Sequence, residues 1–299
     1  MGHIITDLKE AFRRGNVYIQ LIFINVGVFV ITTLIGILLQ LFNRSAAGIF
    51  ELPALPASFT RFAWQRWSIL TYMFMQAGFL HILFNMLWLY WFGALFLYFF
   101  SGKHLRGLYI VGGICGGLLY MISYNVFPYF RPMTAYSTMV GASASVLAIV
   151  VATAYREPNY PVRLLFFGNV RLKYLAMIVV LTDLLFITSS NAGGHIAHLG
   201  GALAGPWFAA SLNKVKDITS WVNKALDATA ALFSAKTWKR KPKMKVHYGN
   251  NTRQNDYDYN ARKKAQSDEI DRILDKLKKS GYESLTTEEK KSLFDASKR

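Results

Sequence analysis

The chain contains the stretch Thr138-Met-Val-Gly-Ala-Ser-Ala-Ser-Val-Leu-Ala-Ile-Val-Val-Ala-Thr-Ala154, in which hydroxyl groups stand among small residues at the start of an apolar run. The run is long enough to cross a membrane, so we expect Ser143 in the first turn of a spanning helix. Backbone N–H groups in a first turn lack helical partners, and the positive end of the helix dipole favours a developing anion there. Ser143 is therefore our candidate nucleophile.

The composition indicates a membrane protein. Of the 299 residues, 53% are hydrophobic and 17% are charged, with a mean hydropathy of +0.24, whereas soluble proteins carry about 45–50% apolar and about 25% charged residues. The net charge of +17 is shared by two regions: residues 1–212 hold 13 basic and 5 acidic side chains, and residues 213–299 hold 21 basic and 12 acidic ones. Basic residues at cytoplasmic ends of spans are expected without nucleic acid, so we expect no nucleic-acid partner. The single cysteine, Cys115, excludes an internal disulfide.

Six apolar runs have lengths suited to membrane spans, and they cover approximately residues 17–42, 79–100, 107–127, 138–155, 173–190 and 194–212. They predict an all-α, polytopic membrane protein with a bundle of six transmembrane helices. The first run is longer than the apolar core of a signal peptide, so we expect it to stay in the mature protein. The connection 43–78 is rich in aromatic and turn residues, and we expect part of it to rest in the membrane interface.

The sequence predicts four segments. Residues 1–16 are expected to form an interfacial helix, 17–212 the six-span domain, 213–265 a basic linker with an amphipathic helix, and 266–299 a small soluble helical hairpin. The run Lys239–Lys245 in the linker is expected to attract anionic lipid head groups. In the hairpin, Thr286-Thr-Glu-Glu289 predicts a capping box at the start of the second helix.

The distribution of basic residues predicts the orientation in the membrane. One set of connections is rich in them and comprises Lys9, Arg13, Arg14, Lys103, Arg106, Arg156, Arg163, Arg171, Lys173 and the tail; the other set holds Arg44, Arg61, Arg66 and Arg131. We therefore expect a multi-pass protein of the cell membrane with both termini in the cytoplasm. Spans two, four and six then all begin at the outer surface. Their polar residues share one depth, which predicts a site there.

Span six supplies a candidate base. His198 is followed by Gly201 and Gly205 on the same helix face, and span four carries matching small residues, namely Gly141, Ala142, Ala144 and Ala148. Small residues let helix backbones approach closely. An imidazole acts as the base of a hydroxyl at about 2.6–3.2 Å, so close packing would let Ser143 and His198 form a dyad. Alternatively, the glycines serve packing alone and His198 is a hydrogen-bonding strut.

Span two supplies candidate oxyanion donors. His81 and Asn85 are four residues apart and therefore lie on one helix face. Two neutral donors beside the backbone N–H of Ser143 can bind an oxyanion. A plain helix–helix hydrogen bond would explain the same polar face, but it would not explain why that face shares its depth with Ser143.

Three motifs occur in order on alternate spans: His81-Ile-Leu-Phe-Asn85, Gly141-Ala-Ser143-Ala, and Ala197-His198-Leu-Gly-Gly201-Ala-Leu-Ala-Gly205. Over about residues 15–212 the chain thereby resembles the rhomboid intramembrane serine proteases. The resemblance implies Ser143 as nucleophile, His198 as base, and His81 and Asn85 as oxyanion donors, with no cofactor and no metal. It also implies a lateral gate beside spans two and five, and cleavage of transmembrane proteins near their outer ends through an acyl-enzyme. The alternative is a rhomboid-like binding protein without activity.

Several alternatives stay open within this interpretation. Some rhomboids carry an aromatic residue four positions after the nucleophile, against which the histidine packs; here that residue is Leu147, so we expect another group to orient His198. His195, one turn earlier, is the rival base. Ser145 is the rival nucleophile, although it points to another helix face. Asp183 is expected nearer mid-membrane than the base, as a packing residue.

A metalloprotease site is the alternative chemistry for these histidines. His81, His195 and His198 are candidate zinc ligands. The sequence has no His-Glu-x-x-His motif, and we expect no carboxylate or thiolate at the depth of these histidines. We therefore expect no zinc.

Overall fold

The computed structural model describes residues 6, 10, 12, 15–164, 168–212, 217–233 and 252–297. The chain divides into two compact units, Met1–Ser234 and Ala235–Arg299. Most of the expected interfacial helix at residues 1–16 lies outside the described residues, as does the whole basic run Lys239–Lys245.

The first unit is mainly helical. Its helices are α1 (Val17–Leu41), α2 (Ala47–Glu51), α3 (Phe59–Trp64), α4 (Ser68–Thr71), α5 (Phe79–Phe99), α6 (Gly102–Val126), α7 (Ser143–Arg156), α8 (Leu172–Leu185), α9 (Ala192–Leu212) and α10 (Ser220–Phe233). Within the described chain, α1, α5 and α6 are long and apolar enough to span a membrane. Each of the six predicted apolar runs overlaps one helix. Helices α7 and α8 have 14 residues each, fewer than the roughly 20 that a straight span needs.

Two small antiparallel sheets interrupt the helices, and the prediction of an all-α class overlooked them. Strand β1 (Leu55–Pro56) pairs with β2 (Thr138–Met139), and β3 (Pro161–Leu164) pairs with β4 (Gly168–Arg171). The apolar run that begins at Thr138 is therefore extended at first and becomes helical only at Ser143. Backbone pairing with the connection 43–78 explains this, because it takes the hydrogen bonds that a helix would otherwise form.

Helices α6, α7 and α9 pack backbone against backbone at small residues. A methyl group built on Gly205 of α9 would lie 2.7 Å from the carbonyl oxygen of Ala148 in α7, and one on Gly201 would collide with the carbonyl of Ala144. The predicted close approach of spans four and six is thus confirmed. Helix α6 is a third partner that the sequence pattern did not predict: a Cβ built on Gly116 would lie 2.6 Å from the Ala144 methyl.

The connection between α1 and α5 is folded and anchored by hydrogen bonds. Trp67 Nε1 donates to the carbonyl of Leu52 at 3.0 Å, and Thr71 Oγ1 donates to the carbonyl of Pro53 at 2.8 Å. The Trp64 side chain is 81% exposed. Tryptophan is enriched at membrane–water interfaces, so these contacts are compatible with a connection that rests there.

Helix α10 is tied to the start of α6 by polar contacts. The Arg106 guanidinium donates to Asn223 Oδ1 at 2.7 Å and to Asp227 Oδ1 at 2.6 Å. Val222 is buried against the bundle, whereas Trp221 is 57% exposed. Helix α10 lies where the sequence predicts an amphipathic helix, with one apolar residue turned to the protein and another turned outward.

The second unit contains α11 (Thr252–Ser280) and α12 (Thr287–Ser297). Helix α11 begins well before the position that the sequence suggested, because residues 252–280 contain no Gly or Pro to stop it. The predicted capping box is confirmed: Thr286 N–H donates to Glu289 Oε2 at 2.9 Å, and Glu289 N–H donates to Thr286 Oγ1 at 3.3 Å. Lys276 of α11 forms an ion pair with the same glutamate at 2.8 Å.

Candidate active site

Ser143 is the first residue of α7, directly after an unusual backbone turn. Gly141 has φ +138°, a conformation that residues with a side chain rarely adopt. A Cβ built there would lie 2.8 Å from His81 Cε1 and 3.5 Å from Ser143 Oγ, so the His81 ring and the Ser143 hydroxyl flank the glycine. The Gly141 N–H donates to the carbonyl of Tyr72 at 3.0 Å. The N–H of Ser143 is among the first four of α7, which have no acceptor within the helix.

All four residues predicted for the site line one cavity of about 690 Å³: His81 and Asn85 from α5, Ser143 from α7, and His198 from α9. Neither rival from the sequence analysis is among its lining residues. Ser145 is fully buried, with Oγ 4.0 Å from Met73 Sδ. In the described part of the chain, no hydrogen bond joins Ser143 to His198.

The hydrogen bonds of His81 fix which ring nitrogen carries the proton. His81 Nδ1 accepts a hydrogen bond from the Ala77 N–H at 3.1 Å. A neutral imidazole that accepts at Nδ1 must carry its proton on Nε2. Nε2 is also the ring nitrogen near Gly141, where a Cβ would lie 3.2 Å from it. His81 therefore presents an N–H donor beside Ser143.

Asn85 belongs to a buried chain of polar groups that the sequence analysis did not anticipate. Asn85 Nδ2 donates to Gln76 Oε1, and Gln76 Nε2 donates to Asn25 Oδ1, both at 3.0 Å. Asn25 Nδ2 donates to Tyr109 Oη at 3.0 Å, and Tyr109 donates to the carbonyl of Met73 at 2.9 Å. Asn25 and Tyr109 are completely buried. Asn25 was the available signal in the sequence, because its amide lies within the first apolar run. A polar group there is costly without partners, so partners for it could have been expected.

Asp183 does not occupy the position predicted from the sequence, which was that of a packing residue nearer mid-membrane than the base. Its Oδ1 lies 2.8 Å from Nδ1 of His198 and also 2.8 Å from Nδ1 of His195. The expected separation from His198 was wrong because the apolar run 173–190 is not helical throughout. Helix α8 ends at Leu185, so Asp183 lies in its last turn rather than in its middle.

Among the residues that the structure describes, one group of three side chains could bind a metal ion: Asp183, His195 and His198. Their ligand atoms lie within 4.8 Å of one another. His81 is not part of this group, so the zinc set that we weighed is not assembled. The expectation that no carboxylate lies with these histidines is wrong, because Asp183 lies beside two of them. The short Nδ1 contacts to Asp183 account for these three side chains as hydrogen-bond partners.

The fold and the site define a helical membrane protein with a polar cavity between its helices. Residues 63–214, half of the chain, match the family model described as Rhomboid domain, and the chain belongs to the rhomboid family. A similar protein is RHOMBOID-like protein 12, mitochondrial, from Arabidopsis thaliana, which is 29% identical over 144 residues. That alignment covers 45% of this chain and 43% of the relative. Residues 254–299 match a family of unknown function, DUF6576.

Proposed function

We propose that the chain is an intramembrane serine endopeptidase that cleaves transmembrane or membrane-anchored proteins through an acyl-enzyme on Ser143. The observation that supports this proposal is the assembly of Ser143, His198 and His81 around one cavity, with a hydroxyl at a helix N-terminus. Neither cofactor nor metal takes part in the proposed chemistry, and Asn85 completes the set of oxyanion donors.

In the proposed reaction, His198 Nε2 takes the hydroxyl proton as Ser143 Oγ attacks the carbonyl carbon of the substrate. The carbonyl electron pair moves onto oxygen, and this oxyanion accepts hydrogen bonds from His81 Nε2–H, the Ser143 N–H and the Asn85 amide. The C–N bond then breaks, and the proton on His198 passes to the leaving amine. Water attacks the acyl-enzyme, gives one proton to His198, and the same proton returns to Ser143 Oγ as the ester bond breaks.

The arrangement in the membrane is part of the proposal. Six spans, formed by α1, α5, α6, α7, α8 and α9, would place both termini in the cytoplasm of a cell-membrane protein, as the basic connections favour. Segments 1–16 and 17–212 would keep the roles expected from the sequence, and the basic linker expected at 213–265 would contact anionic lipid heads. The hairpin expected at 266–299 would begin earlier, since α11 starts at Thr252. Helices α11 and α12 would form the soluble hairpin, which the ion pair between Lys276 and Glu289 favours.

Fluorophosphonate labelling of the purified full chain in detergent tests the proposal. We expect labelling of the parent protein and its loss in Ser143→Ala, while Ser145→Ala, a matched change two residues away, should still be labelled. The same samples should cleave a model transmembrane substrate with the same pattern. A folded parent that is neither labelled nor active would support the alternative, a catalytically silent rhomboid-like binding protein.

A further inference from the structure

We propose that Asp183 is a positioning residue that holds His198 in the tautomer and orientation of a base, with His195 as a second donor to the same carboxylate oxygen. This inference rests on the proposed function, since it concerns the group that would accept the Ser143 proton. It adds a third member to the Ser143 and His198 pair.

The contacts of Asp183 are short and well shielded. Its Oδ1 lies 2.8 Å from Nδ1 of both histidines, and the residue is 4% exposed. Its Oδ2 is buried and has no hydrogen-bond partner among the described residues. The single oxygen that does have partners is therefore shared by the two imidazoles. Hydrogen bonds to a charged acceptor are roughly twice as strong as those between neutral groups, so this contact orients both rings.

One oxygen shared by two Nδ1 atoms restricts the tautomers of both rings. A carboxylate oxygen can only accept, so each Nδ1 must carry a proton and each Nε2 of a neutral ring must carry a lone pair. For His198, which lines the cavity, this leaves Nε2 as the proton acceptor. His81 has the opposite tautomer, because its Nδ1 accepts from the Ala77 N–H. The two cavity imidazoles are thus prepared for opposite tasks, one as base and one as donor.

The surroundings explain why a carboxylate is needed at this position. Position 147, four residues after Ser143, holds leucine, which has no aromatic face against which the His198 ring can stack. The ring of His195 lies at 84° to that of His198, with centroids 6.1 Å apart, so it does not stack on it either. Asp183 is therefore the group that fixes the rotation of the His198 ring.

The test uses the purified full chain in detergent with Asp183→Asn, which keeps the volume but offers an N–H donor to Nδ1. The same substitution in soluble serine proteases lowers kcat by about 10⁴ because it selects the wrong tautomer. We expect a fall in kcat of about 10²- to 10⁴-fold with little change in KM. Asp183→Leu, which removes both oxygens, should give a loss in the same range.

Two control variants separate this effect from a general loss of charge or of packing. Asp217→Asn changes a carboxylate that lies 3.7 Å from His104 and is not among the lining residues of the cavity, so kcat should not change. His195→Ala removes only the second donor to Asp183 Oδ1, so we expect a smaller fall in kcat than in Asp183→Asn. A fall as large as that of Asp183→Asn would assign the positioning of His198 to His195 and overturn the inference. A kcat in Asp183→Asn equal to that of the parent, in protein that is folded by thermal unfolding, would overturn the inference.

A spectroscopic measurement tests the inference without relying on activity. Nitrogen-15 spectra of histidine-labelled Ser143→Ala protein, compared with and without Asp183→Asn, report which nitrogen of each ring is protonated. We expect His198 to carry its proton on Nδ1 only when Asp183 is present. The same tautomer of His198 in both proteins would overturn the inference. If the parent protein neither labels nor cleaves but the tautomer depends on Asp183, the proposed function fails while the positioning contact stands.

Discussion

The side-chain amide of Asn85 donates one of its two N–H groups to Gln76 Oε1 at 3.0 Å. Asn85 also lines the cavity that contains Ser143 and His81. Gln76 thereby holds the amide plane of Asn85, and the second N–H is the one available for an oxyanion.

We predict that Asn85→Ala lowers kcat much more than it raises KM, because the amide would bond to charge that exists only in the transition state. One such donor is worth about 10²–10³ in the rate of a soluble serine protease. The loss here is expected to be smaller, since His81 and the Ser143 N–H share the oxyanion. Steady-state cleavage of a model transmembrane substrate measures both constants.

Gln76→Met serves as the companion to this variant. It removes the acceptor of the Asn85 amide and the donor to Asn25, so it should lower both kcat and thermal stability. Each buried polar group left without a partner costs about 1–3 kcal/mol. A raised KM with unchanged kcat in Asn85→Ala would instead make Asn85 a substrate-binding residue.

We predict that Gly201→Ala impairs both stability and activity, because its methyl group would collide with the Ala144 carbonyl in α7. Overpacking of this kind costs about 1–3 kcal/mol. Separating α9 from α7 would also move His198 away from Ser143, and a misplacement of about 1 Å can cost about 10²-fold in rate. The control is Gly27→Ala in α1, where nothing lies within 4 Å. If both variants behave alike, the contact between α7 and α9 does not control the site.

We predict that Gly141→Ala abolishes fluorophosphonate labelling, because its Cβ would lie 2.8 Å from His81 Cε1 in a backbone conformation unsuited to alanine. Backbone strain of this kind costs about 1–3 kcal/mol by itself. Gly168→Ala is the matched control, since Gly168 also has a positive φ, +68°, but open space around it. Strain alone would affect both variants in thermal unfolding, whereas loss of labelling in Gly141→Ala alone would show displacement of His81.

The second unit should respond to acid through one carboxylate. A side-chain hydrogen bond from Lys276, followed by the backbone N–H of Thr286, lowers the pKa of Glu289 from 4.5 to about 2. A carboxyl whose folded-state pKa is depressed stabilises the fold above its ordinary pKa, and this contribution is lost as the pH falls from 4.5 through 2. We therefore expect hydrogen-exchange protection of α11 and α12 in the full chain to decrease across this window. In Glu289→Gln, protection should already be reduced at neutral pH and should depend less on acid.

A reporter fused after Arg299 should be active in the cytoplasm, because the connections rich in Lys and Arg stay on that side. The comparison is a reporter inserted after Arg131, between α6 and α7, which should be active on the outer side. A reversed pattern would contradict the topology and would place His81, Ser143 and His198 together near the cytoplasmic side.

The residues that could be predicted from the sequence are those whose spacing follows from helix geometry. The i, i+4 spacing of His81 and Asn85, and the small residues of α7 and α9, follow from helix geometry, and the structure brings these residues to one cavity. The pairing of Leu55 with Met139 had no such signal, since a strand of two residues is too short to show a period.

Asp183 shows a different limit of the sequence. Hydropathy locates an apolar run but not the residue at which its helix ends, and the residues after Leu185 are apolar enough to extend the run. An error of a few residues moved Asp183 by more than one helical turn, which is about 5.4 Å. A carboxylate displaced by that distance along the helix would no longer contact His198.

The contact of Gly201 and Gly205 with backbone atoms of α7 has a consequence for the response to lipids. No flexible side chain lies between the two helices at these points, so a thinner or thicker bilayer should tilt them as one body. The spacing of Ser143 and His198 would then be the same in short-chain and long-chain lipids. Differences in turnover between such membranes would therefore report on how readily a substrate enters from the lipid phase.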